Sequence, residues 1–222
     1  MCGRFALDAP KEELLNQFNL KAVLDLEPRY NIAPSQQAPI IRIASGLSNR
    51  MTLCRWGLIP SWSKDEKIGY KLINARSETV HEKPSFKASF KQRRCLVPAT
   101  GFFEWKAAGD RKLPYYITMK GNRLFAMAGL WDMWKSPEGI IIESFTILTT
   151  EANGIVNKIH DRMPVIIQPD QYGLWLAPSE PSAASQFFRP FSPFKMTAWP
   201  VSGMVNNPRN DAEGCIRKIN YH

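Results

Sequence analysis

Short apolar runs broken by turn residues dominate the chain, and helical spacing is brief. Leu14, Leu15 and Phe18 form an apolar stripe over Pro10 to Leu20, with Asp8 and Pro10 as start signals, which predicts a short amphipathic helix. Arg29 to Ser35 is turn-rich and leads into a predicted strand over Pro39 to Ala44. Gly46 to Asn49 reads as a hairpin turn, with Met51 to Trp56 as the returning strand. Cys95 to Pro98 and Gly101 to Trp105 read as a pair of strands. Pro114 to Met119, Leu124 to Trp134 and Ile140 to Thr150 follow across short turns at Ala107–Asp110 and Gly121–Asn122. This succession predicts an antiparallel meander. Ile155 to Lys158 reads as one helical turn, Tyr172 to Leu176 and Ser182 to Phe188 as short helices, and Lys195 to Val201 as a last strand. A loop at Asn206 to Asp211 leads to the end, and neither repeats nor a low-complexity linker divide the chain, which predicts one domain over residues 1–222.

Several segments escape this pattern and carry candidate chemistry. Arg55 to Trp62 leaves the sheet as an ordered, irregular loop with two tryptophans between Gly and Pro. Trp56 reads as a core plug. Trp62, among Ser and Lys, reads as exposed, where an indole can stack on a base. In Leu72 to Thr79, Asn74 and Arg76 stand where an apolar pair meets residues able to enter a helix, a place where N–H groups and a guanidinium can face one phosphate. Phe86 to Arg94 alternates aromatics with Lys87, Lys91, Arg93 and Arg94, a pattern more often a solvated face than a binding strip. Glu104 is a carboxylate flanked by Phe102, Phe103 and Trp105. Burial there raises its pKa toward that of a general acid, while strand alternation also allows Glu104 and Phe102 to face outward. His160 precedes Asp161 and Arg162 at a helix-to-strand junction. It is a surface or core-satisfied imidazole, or one that Asp161 orients.

Composition changes the picture in one respect. The 222 residues carry 29 basic and 20 acidic side chains, a net charge of +9, which favours a polyanionic partner with nucleic acid first. Seven Trp and seventeen Pro suit strands and turns better than a bundle of helices. Cys2, Cys54, Cys95 and Cys215 are far apart, and the histidines are His81, His160 and His222, so neither a metal site nor a cofactor is expected. No apolar leader or long apolar run occurs, so a cytoplasmic chain with free thiols and no membrane contact is expected.

The chemistry that stands out is at Met1-Cys2-Gly3-Arg4-Phe5. Removal of Met1 leaves Cys2 with an α-amine and a thiol on one framework. Ordinary pKa values of roughly 7.7–8.0 for the amine and about 8.5 for the thiol keep both partly nucleophilic near neutral pH. The amine condenses with an aldehyde, and the neighbouring thiol can then close a five-membered thiazolidine ring intramolecularly. Gly3 allows close backbone approach, and Arg4 can hold an anion nearby.

Taken together, CGRF at 2–5, RYNIAP at 29–34, WGLIPSW at 56–62, INAR at 73–76, GFFEW at 101–105, HDRMP at 160–164 and WPVS at 199–202 resemble the SRAP family, named for SOS-response-associated peptidase. The resemblance implies an α+β fold around a strongly curved, barrel-like, mainly antiparallel sheet with peripheral short helices. It further implies a basic groove for single-stranded DNA and covalent capture of abasic sites, whose ring-opened form is an aldehyde. On that resemblance Cys2 is the nucleophile, Asn74 holds the abasic sugar or the N-terminus, Glu104 is the acid/base and His160 helps open the ring. Arg4, Arg76 and Arg162 would grip phosphates, with Trp62 as a further DNA contact and a monomer as the working form. The polar stretch Ser63 to Tyr70 is longer than the family pattern, and Cys215 has no assigned role. Two other functions fit the same residues. One is a thiol peptidase or autopeptidase that uses Cys2, His160 and Glu104. The other is a single-strand binder in which Cys2 is incidental.

Overall fold

The computed structural model describes residues 2–44, 48–121, 123–177 and 184–220. A long strand, β10 (Ile141–Glu151), organises it. Before it come β1 (Arg4–Leu7), α1 (Lys11–Gln17), β2 (Arg29–Ile32), β3 (Gln37–Ile43), β4 (Asn49–Trp56), β5 (Asn74–Arg76) and α2 (Pro84–Gln92). Then follow β6 (Arg94–Ala99), β7 (Gly101–Ala108), β8 (Arg111–Met119) and β9 (Phe125–Lys135). After it come β11 (Arg162–Pro164), β12 (Ile166–Ile167), α3 (Tyr172–Leu176) and β13 (Met196–Pro200), among several single 3₁₀ turns.

The strands β10-β4-β3-β6-β9 close into a barrel, because β10 pairs with β9 on one side and with β4 on the other. All of these pairings are antiparallel except the short β10–β4 contact, at Ser144 with Arg55 and Phe145 with Trp56. A second sheet, ordered β13-β8-β7-β1-β2, packs on the barrel. Strand alternation divides the core. In β7, Phe102 enters the main core and Phe103 the smaller cluster with Tyr116, Val201, Val205 and Cys215 on the outer face. Cys215, which the sequence left without a role, is therefore a packing residue; its thiol also donates to the Asn210 carbonyl at 3.3 Å. Each buried large side chain stabilises the fold by about 1.5–3 kcal/mol. The architecture is the α+β, barrel-like, mainly antiparallel sheet with short helices that was expected.

Four local readings need correction. First, the strands from Cys95 to Thr150 form two hairpins in two sheets, not one meander: β7 pairs with β8, and β9 with β10. Second, β6 and β7 are consecutive but unpaired, for β6 joins β3 and β9 while β7 joins β1. Thr100 turns the corner, held by its N–H to the Ala6 carbonyl at 2.9 Å and its hydroxyl to Asp8. Gly101 follows because the Tyr116 ring fills the space a Cβ would need. Third, no helix begins at Asn74 to Thr79. The segment is strand β5, recruited by β10 through parallel pairing of Asn74 to Arg76 with Ile147 to Thr149. Fourth, Phe86 to Arg94 is mostly helix α2, and the solvated face read there holds for Lys87 and Lys91 but not for Arg94, which is buried with its Nε donating to the Phe90 carbonyl at 2.8 Å. Phe86 and Phe90 lie four residues apart, so both rings enter the core while Lys87 and Lys91 face solvent. The turn read at Gly46–Asn49 and the start of the helix read at Ser182 fall partly outside the described residues, as does Asn122. The remaining part of that helix is a 3₁₀ turn, Ser185–Phe188.

Candidate functional site

Register brings the first residues of the chain to Glu104. In the β1–β7 pair Arg4 lies opposite Phe103 and Phe5 opposite Phe102, so the residue before Arg4 runs alongside the continuation of β7. Cys2 is completely buried and its thiol donates weakly to the Arg4 carbonyl at 3.7 Å. Burial, and then the charge of Glu104, push the thiol well above the ordinary range. Asn74 reaches across from β5, its Nδ2 donating to the Cys2 carbonyl at 2.9 Å. Its Oδ1 is buried without a hydrogen-bond partner among the described residues. Such an atom costs free energy until something donates to it.

Glu104 is 2 % exposed and shares the inward face of β7 with Phe102. The outward reading for both residues is therefore excluded. Burial raises its pKa from 4.5 to about 7, with a further upward push from Asp161. At neutral pH a carboxyl of that kind is partly protonated and can both give and take a proton.

His160 follows the 3₁₀ turn Val156–Lys158, and its N–H donates to the Val156 carbonyl at 2.9 Å. Its Nδ1 lies 3.0 Å from the Arg162 N–H and 2.8 Å from Asp161 Oδ1. These two contacts require opposite protonation of Nδ1. The backbone N–H is fixed by β11, whereas the Asp161 carboxylate is largely exposed and free to turn away. The neutral tautomer with its proton on Nε2 follows, and burial, which lowers the His160 pKa, favours it, with Lys112 acting in the same direction.

The arginines divide. Arg162 is 12 % exposed and already engaged: Nη1 and Nη2 donate to the two Glu78 oxygens at 2.6 and 2.9 Å, and Nη2 also to the Thr149 carbonyl at 2.7 Å. Arg4 is partly buried and donates to the Gly3 carbonyl at 2.8 Å. Arg76 is exposed and makes no ion pair among the described residues. By strand alternation it shares the face of Asn74. Trp62 is 58 % exposed on a loop that is itself pinned by Ile59 N–H to Ser144 Oγ, Ser61 N–H to Asp132 Oδ2 and Trp134 Nε1–H to the Ser63 carbonyl. The polar stretch after it is ordered as the 3₁₀ helix Glu66–Lys71, tied by the Arg55–Glu66 ion pair at 2.9 Å.

Cys2, Asn74 and Glu104 thus come together from three separate segments, and the charge of Asp161, next to His160 in the chain, reaches Glu104. A sequence model of the family described as SOS response associated peptidase (SRAP) matches residues 1–208. The chain belongs to the SRAP family. Its curated relatives include abasic site processing protein YoqW of Bacillus subtilis, 44% identical over 97% of this chain and 99% of that protein. They also include abasic site processing protein HMCES of Xenopus tropicalis, 36% identical over 87% of this chain and 67% of that protein. Among solved structures, a Bacteroides thetaiotaomicron protein superposes with a TM-score of 0.89 at 28% identity, covering 99% of this chain and all of that one.

Three residues steady the candidate site in ways the sequence did not show. Glu78 fills the Arg162 fork and ties the turn after β5 to β11. Thr149 serves both sides, its carbonyl accepting from Ser77 N–H at 2.9 Å and from Arg162. Trp56, read correctly as a core plug, also donates Nε1–H to the Ile73 carbonyl at 2.8 Å and so steadies the residue before Asn74. Gly57 lets the chain leave β4 at φ +123°, where a Cβ would strike the Gly69 carbonyl at 2.6 Å. No local signal marks Glu78 or Thr149. A groove of about 380 Å³ opens beside the site, lined by Lys106, Tyr115, Lys158 and Ile159 among others. Tyr115 pairs with Glu104 and Ile159 precedes His160, though neither Glu104 nor His160 lines the groove itself. Among the described residues no group of His, Cys, Asp and Glu could hold a metal ion, and no helix is long and apolar enough to cross a membrane.

Proposed function

We propose that this protein recognises abasic sites in single-stranded DNA and captures the ring-opened aldehyde covalently through Cys2, once Met1 has been removed. The observation that carries this reading is the approach of Asn74 and Glu104 to Cys2: an amide holds the Cys2 carbonyl at 2.9 Å while a carboxyl of pKa about 7 stands close enough to perturb its thiol. The names of the relatives support the lesion, and the net charge of +9 supports the polyanion.

The abasic sugar exists mainly as a closed hemiacetal. His160, with its proton on Nε2 and its Nδ1 held by the Arg162 N–H, donates a hydrogen bond to the ring oxygen, while ionised Glu104 takes the C1′ hydroxyl proton and passes it to that oxygen, which frees the aldehyde. The Cys2 amine adds to C1′, and protonated Glu104 donates to the departing hydroxyl, so water leaves and an imine forms. The thiol sulfur then bonds to the same carbon. Glu104 carries the thiol proton to the imine nitrogen, which leaves a thiazolidine. A carboxyl half-ionised near neutral pH can serve both steps. Arg76, exposed on the Asn74 face, is the arginine free to take a flanking phosphate, and Trp62 offers an indole face to a base. Burial, and then the charge of Glu104, raise the Cys2 thiol pKa, so a base must take its proton for capture as for peptide cleavage.

The test is a denaturing gel of Met1-free protein mixed with single-stranded DNA carrying one abasic site. A shifted band that needs both the lesion and Cys2 is expected, with Cys2→Ala and undamaged DNA giving none. A Met1-free protein that binds this DNA without a denaturation-resistant band would leave a plain single-strand binder.

A further inference from the structure

A second surface lies at the other end of β8. Two adjoining grooves of about 460 and 280 Å³ share Ile166, Gln168, Phe191 and Lys195, and so form one trough. From Tyr115, opposite Glu104, to Lys120 on its rim is five strand residues, or about 16 Å. The trough is therefore distinct from the cleft beside Glu104.

Three features of the trough belong together. Lys120, Arg123, Arg189 and Lys195 line it, and none of them makes an ion pair among the described residues. Among the described residues no carboxylate lines either groove, and Asp170, on the Pro169–Gln171 turn, stands outside the lining. Phe194 projects from the short turn Pro193–Lys195 with 84 % of its surface exposed. A phenylalanine left in water beside four cations, with Tyr172 and Phe191 behind it, has the composition of a stacking platform along a phosphate track.

We infer that this trough binds an unpaired nucleic-acid strand, with phosphates on the four cations and a base stacked on Phe194. The inference rests on the proposed function only for the polymer and not for the chemistry at Cys2. An acidic peptide would satisfy the cations but leaves the exposed ring without a flat partner, so a nucleic acid is favoured.

The experiment compares wild type, Phe194→Ala and Lys120→Ala/Lys195→Ala by fluorescence anisotropy. The probes are an undamaged short oligothymidine that covers only the Cys2 cleft and one long enough to reach the trough as well. Phe194→Ala should weaken the long oligonucleotide about tenfold and leave the short one unchanged. The double variant should lower the slope of log affinity against log salt by about 1.4, or 0.7 for each lost single-strand phosphate contact. All three substituted positions lie on the surface, and unchanged melting temperatures confirm folding. Covalent capture of a short abasic oligonucleotide by the same variants reads the Cys2 chemistry separately. Loss of capture in wild type with the trough effects intact would sink the proposed function and leave this inference standing. Equal binding of the long oligonucleotide by all three proteins would overturn the inference. So would polyglutamate that binds wild type and loses affinity in these variants while oligothymidine does not.

Discussion

Glu104→Gln exchanges a buried carboxyl for an amide of nearly the same shape that cannot ionise. In the folded protein the carboxyl titrates near 7 against an ordinary 4.5. At about 1.36 kcal/mol for each pKa unit, ionising it in place costs about 3 kcal/mol. The sign follows from the raised value. Below about pH 4.5 both folded and unfolded chains hold the proton, and Glu104 contributes nothing to the pH dependence. As pH rises from there to about 7, the unfolded chain releases its proton first and stability falls. Above that range the folded protein carries the full cost. Urea unfolding of wild type and Glu104→Gln at about pH 4 and about pH 8 reads this directly. The difference between the two proteins should shift toward the glutamine variant by up to about 3 kcal/mol between the two conditions. Cross-linking to abasic DNA should fall in the same variant, the pattern of a group kept for chemistry at a cost in stability. A difference that stays constant with pH would refute the raised pKa and, with it, the acid/base role.

Protein that retains Met1 has the Cys2 nitrogen tied up in an amide; it should bind single-stranded DNA but form no thiazolidine, and an intact mass with Met1 present beside efficient cross-linking would contradict this. Trp56→Phe keeps a ring between Phe5 and Phe145 but removes the indole donor to the Ile73 carbonyl, which then keeps only the Ile147 N–H at 3.2 Å. A loss of about 1–3 kcal/mol in urea unfolding is expected, together with slower capture through a less firmly held Asn74. Glu78→Gln weakens the clasp on Arg162, whose hydrogen bonds hold the Glu78 pKa below its ordinary value. Glu78 is half exposed, so a loss below about 1 kcal/mol is expected near neutral pH. Its contribution is present above the ordinary carboxylate pKa and fades as pH falls through the depressed one, so the two proteins should converge in acid.

Much of the architecture was legible because side-chain period is a local property. Leu14 and Phe18 announced α1, Tyr172 to Leu176 marked α3, and Trp56 read as core. Where local pattern misled, the missing information was a distant partner. Asn74 to Arg76 became a strand because β10, seventy residues later, offered its edge. β7 turned away from β6 because β1, a hundred residues earlier, was waiting. Phe86 and Phe90 showed the helical spacing of four, yet Lys87 and Lys91, each following a ring, suggested alternation.

The candidate residues were legible mainly as motifs with a family likeness, since nothing in the spacing of Cys2, Asn74, Glu104 and His160 marks them as neighbours. Sequence alone determined the aminothiol chemistry available at Cys2, the basic charge and the alternation along β7, because these depend on residue type and on neighbours two positions away. Only the tertiary structure decided that Glu104 is buried enough to titrate near 7, that Asn74 grips the Cys2 carbonyl, and that Glu78 already occupies Arg162. Those depend on which strands share an edge, and an edge is chosen by the whole sheet closing on itself.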